Sequence, residues 1–378
     1  MRLSRGPMFR KRNDTRIVRT LWQYPNLSRI ELSNRLGLDK STITVEISRL
    51  IENGVVEELP EGPPSRSGGR KPTPLAIRKE YGYIIGISIQ CGHYTAVAVN
   101  LAGEFLETKE EDVVITKDNL ALNIQLIYWE FRDRLSSHPG VLLGIGIGVG
   151  GLIDPKAGTI RFSVPLDITE PFNIVDMLSS KLDVPFAIEN NANCCAWGEL
   201  AFHKNTELKN MLFALVEFKQ ALVPHAEYGG VGVGFGLVLN GKVHYGSNYS
   251  AGEFRSVLCT SNDDIQVALS RDELSRILDD PSVFSRFADD LARNMAMLVN
   301  TLDCGRVFIG GDIESCGFDF CRILEKSIEA NWIYPIKKRI EIHYSSLGAQ
   351  AVAFGAAGMC LQSLFAANTF PVRRETDA

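Results

Sequence analysis

Residues 144–154 read Gly-Ile-Gly-Ile-Gly-Val-Gly-Gly-Leu-Ile-Asp, and Val141-Leu142-Leu143 precedes them. The apolar run Val141–Val149 predicts a buried strand that ends in a glycine turn. The stretch Val141–Ile153 is too short to cross a bilayer, and its five glycines speak against a membrane helix. On either side of it, short apolar strands alternate with glycine turns and helices. Strands are expected at Tyr83–Ile89, Tyr94–Asn100, Phe186–Ile188, Leu212–Glu217, Val231–Leu239 and Val307–Ile309. Helices are expected at Leu120–Leu135, Ile174–Leu182, Ala192–Ala201, Asp272–Leu278, Ser282–Asn300 and Ile323–Asn331. This alternation predicts an α/β protein. Two similar strand-turn-strand openings, near Tyr83 and near Leu212, suggest an internal duplication.

At 378 residues the chain is too long for one ordinary core, so two or three domains are expected. Charge is unevenly spread. Residues 1–80 hold 16 Lys and Arg against 9 Asp and Glu, whereas the remainder holds 24 against 36. A basic front on an acidic body suggests one polyanion-binding module. The eight cysteines have no CxxC spacing, which fits reduced thiols in a cytoplasmic protein. No signal peptide is visible, and no membrane partner is expected.

The front, residues 1–80, is read as a winged helix-turn-helix. Ile17, Val18 and Leu21 lie at helical spacing. Ser28 with Glu31 forms a capping box for a second helix that ends near Gly37. A third helix opens at Leu38-Asp39-Lys40-Ser41 and carries Ile43, Ile47, Leu50 and Ile51 on its inner face. Its outward residues Lys40, Ser41, Thr42, Thr44 and Ser48, with Arg49 beyond, are of the types that reach bases and phosphates. Val55–Glu58 and Leu75–Ile77 are expected to be the strands of a wing. The loop between them, with Arg66, Arg70 and Lys71, reads as a minor-groove probe or as a basic linker.

Several stretches in order carry a resemblance. They are Ser67-Gly68-Gly69-Arg70-Lys71-Pro72, Gly144–Asp154, Pro185–Glu199, Gly230–Gly241 with Gly252-Glu253, and Phe308-Ile309-Gly310-Gly311. Through them the chain resembles the ROK family of repressors, open reading frames and sugar kinases, in its repressor branch. The resemblance implies a winged helix-turn-helix followed by a two-domain actin-like (ribonuclease-H-like) sugar-kinase fold. It puts the first subdomain at 81–187 plus 351–378, and the second, with an oligomerisation surface, at 188–350. It implies operator DNA as partner, a sugar or sugar derivative as effector, and a homodimer or homotetramer. The sugar contacts that carry over are Gly151, Asn173, Asn190, Asn191 and Glu253, and Arg255 joins them as a fixed positive charge. That charge suits an acidic or phosphorylated sugar, or an ion pair with Glu253 or Glu199.

Departures from the family pattern bear on chemistry. Asn191, in Glu189-Asn190-Asn191-Ala192-Asn193, stands where a kinase needs a carboxylate to take the hydroxyl proton. Ser88-Ile89-Gln90-Cys91-Gly92 replaces the Asp and Gly-Gly-Thr turn that cradles phosphate. Val231 replaces a threonine of the second phosphate loop. The Gly-Glu-x-Gly-His element reads Gly252-Glu253-Phe254-Arg255-Ser256, with its histidine taken as replaced by Arg255. The cysteine cluster of a zinc site is missing, with only Cys259 in place. No enzyme activity, cofactor or metal is therefore expected. The expected function is that of a transcriptional regulator of carbohydrate metabolism genes, most simply a repressor. The alternatives are an active ATP-dependent sugar kinase with a regulatory domain, and a regulator controlled by a protein partner.

Overall fold

A computed structural model describes residues 12–60, 72–203, 208–219, 230–260 and 265–366. The front consists of helices α1 (Arg12–Gln23), α2 (Arg29–Leu36) and α3 (Lys40–Glu52), with strands β1 (Leu27–Ser28), β2 (Val56–Glu58) and β3 (Pro74–Ile77). The helices close over Ile17, Leu21, Leu32, Ile43, Ile47 and Leu50, all buried. Ser28 caps α2 reciprocally: its hydroxyl accepts from the Glu31 N–H, and the Glu31 carboxylate accepts from the Ser28 N–H at 2.8 Å. Gly37, at φ 63°, ends the helix. The two expected wing strands pair, with Val56 opposite Ile77, and β1 joins them as a third strand. Arg66, Arg70 and Lys71 lie outside the described residues.

Behind this front stand two five-stranded sheets of the same topology. The chain lays down β4 (Gly82–Gln90), β5 (His93–Asn100), β6 (Phe105–Asp112), helix α4 (Leu120–Arg134) and β7 (Val141–Val149). A small sheet of β8 (Leu152–Asp154), β9 (Thr159–Phe162) and β10 (Phe172–Asn173) follows, then α5 (Ile174–Leu178) and β11 (Phe186–Asn190). Helix α6 (Asn191–Phe202) leads to β12 (Met211–Lys219), β13 (Gly230–Leu239) and β14 (Lys242–Val243). Helices α7 (Arg271–Leu274) and α8 (Pro281–Thr301), β15 (Arg306–Gly311), α9 (Phe320–Ala330), β16 (Glu341–Tyr344) and α10 (Ala351–Ala366) complete the described chain. The sheets run β11-β7-β4-β5-β6 and β16-β15-β12-β13-β14. In each, the first strand lies at the centre, antiparallel to the second and parallel to the fourth. The duplication expected near Tyr83 and Leu212 is this shared topology. Strand β11 belongs wholly to the first sheet and straddles the boundary expected at residue 187.

The Gly-Ile-Gly-Ile-Gly stretch has a packing cause. Side chains alternate across a strand. Ile145, Ile147 and Val149 fill the core on one face of β7, beside Ile124 and Phe131 of α4. The opposite face carries Gly144, Gly146 and Gly148, and α10 lies on it. A Cβ on Gly146 would stand 1.8 Å from the Ala356 carbonyl, and one on Gly86 of β4 would stand 1.9 Å from the Ala353 carbonyl. Helix α10 also meets α6 backbone to backbone, since a Cβ on Gly355 would stand 1.8 Å from the Cys194 carbonyl. At its far end Phe365 packs on Trp22 of α1, with ring centroids 5.7 Å apart. One apolar cluster therefore runs from the helix-turn-helix core through α10 to the first sheet.

Candidate functional site

The site lies in the cleft between the two sheets, around the start of α6. Asn190 caps this helix: its Oδ1 accepts from the Ala192 and Asn193 N–H groups at 2.9 and 3.1 Å. Its Nδ2 donates to the Gly151 carbonyl at 2.9 Å. Gly151 sits at φ 135°, and a Cβ there would come within 2.2 Å of the Phe162 carbonyl, so only glycine makes this turn. Behind Asn190, buried Glu189 accepts from the Tyr245 hydroxyl at 2.7 Å and from the Asn190 N–H at 2.8 Å. Burial pushes its carboxyl up to about 7 despite these donors.

Asn191 points across the cleft, and its Nδ2 donates to Glu217 Oε2 at 3.2 Å. Gln90, at the end of β4, donates from Nε2 to the other oxygen, Oε1, at 2.6 Å. Glu217 stands on β12, in the opposite sheet, so one carboxylate takes two amides from the first lobe. Sequence reading missed it. The only signal was a carboxylate closing an otherwise apolar strand.

This contact line divides the cleft. One side is a cavity of about 470 Å³ whose wall includes Gly151, Asn190, Asn191, Glu253 and Arg255. Five of the six expected ligand residues are thus brought together. Asn173 is not on that wall; its Oδ1 caps α5, accepting from the Val175 and Asp176 N–H groups. The expected helix Ile174–Leu182 ends earlier, at Leu178, where turns follow. Glu253 sits at the cavity mouth, and partial desolvation raises its carboxyl above the usual range. Gly252 beside it has φ 94°, and a Cβ there would stand 1.8 Å from the Phe235 carbonyl. Arg255 reaches toward Cys259 Sγ, 3.7 Å from its Nη2. The Glu199 carboxylate is buried and accepts from Ser345 and Ser346, away from this arginine.

The other side is a cavity of about 630 Å³ that includes Gln90, Cys91, Glu217, Phe218, Phe284 and Asp312. Asp312 accepts from the Phe218 N–H at 2.7 Å, and burial pushes its carboxyl up. No lysine or arginine is among the described residues lining this side.

Counted position by position, Gly252-Glu253-Phe254-Arg255-Ser256 sets Ser256, not Arg255, opposite the family's histidine. Ser256 is buried and donates to Asp290 Oδ1 at 2.5 Å. Asn294 Nδ2 bonds both groups, at 3.1 Å to the Ser256 hydroxyl and 3.0 Å to Asp290 Oδ1. Asp290 Oδ2 accepts from the Ala268 N–H, and Asn294 Oδ1 from the Val257 N–H. Two side chains of α8 thereby hold the segment after Gly252. Among the described residues no group of three His, Cys, Asp or Glu side chains could hold a metal ion.

On the front, Lys40, Ser41, Thr44 and Ser48 are exposed on one side of α3, and Thr42 is half-buried. Val45 is 66% exposed on the same side and was missed. Its place between Thr44 and Ser48 suits contact with a thymine methyl. Arg49 turns inward instead, to Asp14 and to Glu46 at 2.7 Å.

A model of the ROK family matches residues 84–262, and a model of winged helix-turn-helix DNA-binding domains matches residues 10–57. The chain is 28% identical over 251 residues to the xylose repressor of Staphylococcus xylosus, an alignment covering 65% of this chain and 60% of the relative. It therefore spans about three-fifths of the length of that relative. A solved ROK family transcriptional regulator, a homologue of the Escherichia coli Mlc protein, superimposes with a TM-score of 0.74 at 18% identity, covering 93% of this chain and 96% of that one. A ROK family glucokinase from Streptomyces griseus, in complex with glucose and AMPPNP, superimposes with a TM-score of 0.59 at 19% identity. It covers 74% of this chain and 100% of that one. Both likenesses concern the fold, and the shorter kinase match leaves a part of this chain for a further domain. The chain carries a ROK family domain over residues 84–262 and a winged helix-turn-helix DNA-binding domain at its front.

Proposed function

We propose that the chain is a transcriptional repressor of carbohydrate genes whose cleft senses a sugar or sugar derivative and does not phosphorylate it. The observation that carries this reading is Glu217, held by Gln90 and Asn191 across the line that a phosphoryl group would have to cross. A kinase works by cradling phosphates and by taking a proton from the attacking hydroxyl. Here an amide stands at the base position, and a triphosphate in the larger cavity would meet Glu217 and Asp312 without a cationic side chain among the described residues. The amides that remain can both donate to and accept from hydroxyls, which suits binding. The name of the S. xylosus relative supports the same role. Expected partners are operator DNA and a second copy of the chain, because a helix-turn-helix reads paired half-sites as a dimer.

The test has two arms on one preparation. Gel shifts with the upstream DNA of its own gene should show binding that a sugar relieves. ATP, Mg²⁺ and a panel of hexoses, pentoses and amino sugars should give no ADP above background. ADP in proportion to protein would replace this reading with that of a kinase.

A further inference from the structure

We infer that the effector is a sugar bearing an apolar substituent, its ring at Asn190, Asn191 and Glu253 and its substituent lying along β13 toward α7. This rests on the sugar-sensing reading above and narrows the ligand class. The 470 Å³ cavity falls within the range of pockets that take drug-sized ligands. Its two ends differ in chemistry. The polar end is level with Gly234, which bridges to Glu253 and lies against Ala192 of α6. From there the wall follows β13 back through Val233 to Val231. A Cβ on Gly230 would stand 2.8 Å from Leu274 of α7. At about 3.3 Å per residue the three steps from Gly234 to Val231 carry the cavity about 10 Å from its polar end. Ile265 and Phe254 also face this stretch.

The Val233 backbone is closed to a polar ligand. Gln266 already occupies it, accepting from the Val233 N–H at 2.8 Å and donating to the Val233 and Phe254 carbonyls at 2.8 and 2.9 Å. A hydroxyl set against Val231, Val233, Ile265 and Leu274 would lose its water without a side-chain partner there, which is costly, and Arg255 is the one cation on the described wall. An alkyl or aryl group would bury apolar surface and leave no polar group unpaired. A bare monosaccharide would leave the arm unfilled.

The experiment uses the full chain and calorimetric titration. Ligands are xylose, glucose and N-acetylglucosamine, their ethyl to hexyl and phenyl β-glycosides, the sugar 6-phosphates, and free hexanol and phenol. We expect the glycosides of one sugar to bind at least about tenfold tighter than that sugar, with affinity rising along the alkyl series. Val231→Thr places a hydroxyl in the arm at nearly constant volume and should cut that gain severalfold. The inference is overturned if parent sugars bind as tightly as their glycosides, if the 6-phosphates bind tightest, or if hexanol and phenol bind as well as the glycosides. If parents and glycosides alike fail to bind, the sugar-sensing reading falls together with it. Parents that bind without any gain in their glycosides would sink this inference alone.

Discussion

Gln90 and Glu217 stand on opposite lobes of the cleft, 127 residues apart in sequence, and their side chains meet at 2.6 Å. Asn191 completes the contact from the same lobe as Gln90. Hydrogen bonds to a carboxylate are worth about 1.5–3 kcal/mol, less where water can replace them. Glu217→Ala should therefore lower stability by about 1–2 kcal/mol in a urea titration. It should also speed amide exchange in the Gln90–Gly92 turn, because the lobes lose a tie. Unchanged exchange there would show that packing alone sets the cleft opening.

The Ser256–Asp290–Asn294 cluster fixes the segment that carries Glu253 and Arg255. Asp290 accepts from the Ser256 hydroxyl, the Asn294 amide and the Ala268 N–H. Asp290→Ala would strand three donors in a buried place, at a cost of about 3 kcal/mol or more. Chelators should leave the melting temperature of the wild type unchanged. A chelator-induced fall in melting temperature would mean that a metal holds this segment after all.

What could be read from the sequence followed from how local each cause is. The Ser28–Glu31 capping box and the Gly37 stop are set within a few residues, and both appear where their types predicted. Val141–Val149 is a buried strand because an apolar run of that length between turns has few other solutions. Helix α10 escaped notice. It is buried against the first sheet on one side and α6 on another, so it shows no polar period, and Gly355 and Gly358 look like loop residues until the close contacts explain them. Strand β6 escaped for the opposite reason, since Glu107-Thr108-Lys109-Glu110-Glu111 on a sheet edge has no apolar alternation. Asn190 and Asn173 are both helix caps, yet only Asn190 faces the cleft, and sequence does not encode that difference locally. Glu217 gains its meaning from two residues brought to it by the fold.

Glu189 gives a pH prediction whose sign follows from its raised carboxyl. The folded state holds that proton up to about 7, whereas an unfolded Glu releases it near 4.5. The contribution is therefore fully present below about pH 4.5 and is lost as pH rises through 7. A shift of that size corresponds to roughly 3 kcal/mol. Glu189→Gln removes the titration while keeping an oxygen for the Asn190 N–H. The variant should gain on the wild type between pH 5 and pH 8 in parallel urea titrations. Parallel stability curves across that range would show that Glu189 ionises normally in the fold.

On α3, Lys40 and Val45 should fail in different ways. Lys40→Ala removes a cation from the exposed start of the helix. It should weaken binding to specific and random DNA alike and lower the slope of log affinity against log salt by about one. Val45→Ser removes an apolar contact and should cost about 1 kcal/mol at one A·T pair only. A systematic base-substitution series with both variants separates them. Loss at every position with Val45→Ser would mean that the helix presents another face to the groove.

The last expectation concerns how the cleft speaks to the front of the chain. Asn190 and Asn191 start α6, α6 touches α10 backbone to backbone at Gly355, and α10 ends with Phe365 on Trp22 of α1. Both aromatic rings are almost fully buried, at 3% and 2% exposure. A ligand changes DNA affinity only if it binds the two forms of the protein unequally, and a packed contact with two arrangements can carry that difference. Phe365→Ala would leave a cavity beside Trp22, costing about 3–5 kcal/mol of docking energy. Helix α3 and the cleft wall lie elsewhere and keep their own contacts. The variant should therefore still shift operator DNA, and still bind the effector, while the effector's influence on the shift shrinks severalfold. Trp22 fluorescence should move to longer wavelength as the ring meets water. Full relief of the gel shift in Phe365→Ala would show that the signal reaches the DNA reader by another route.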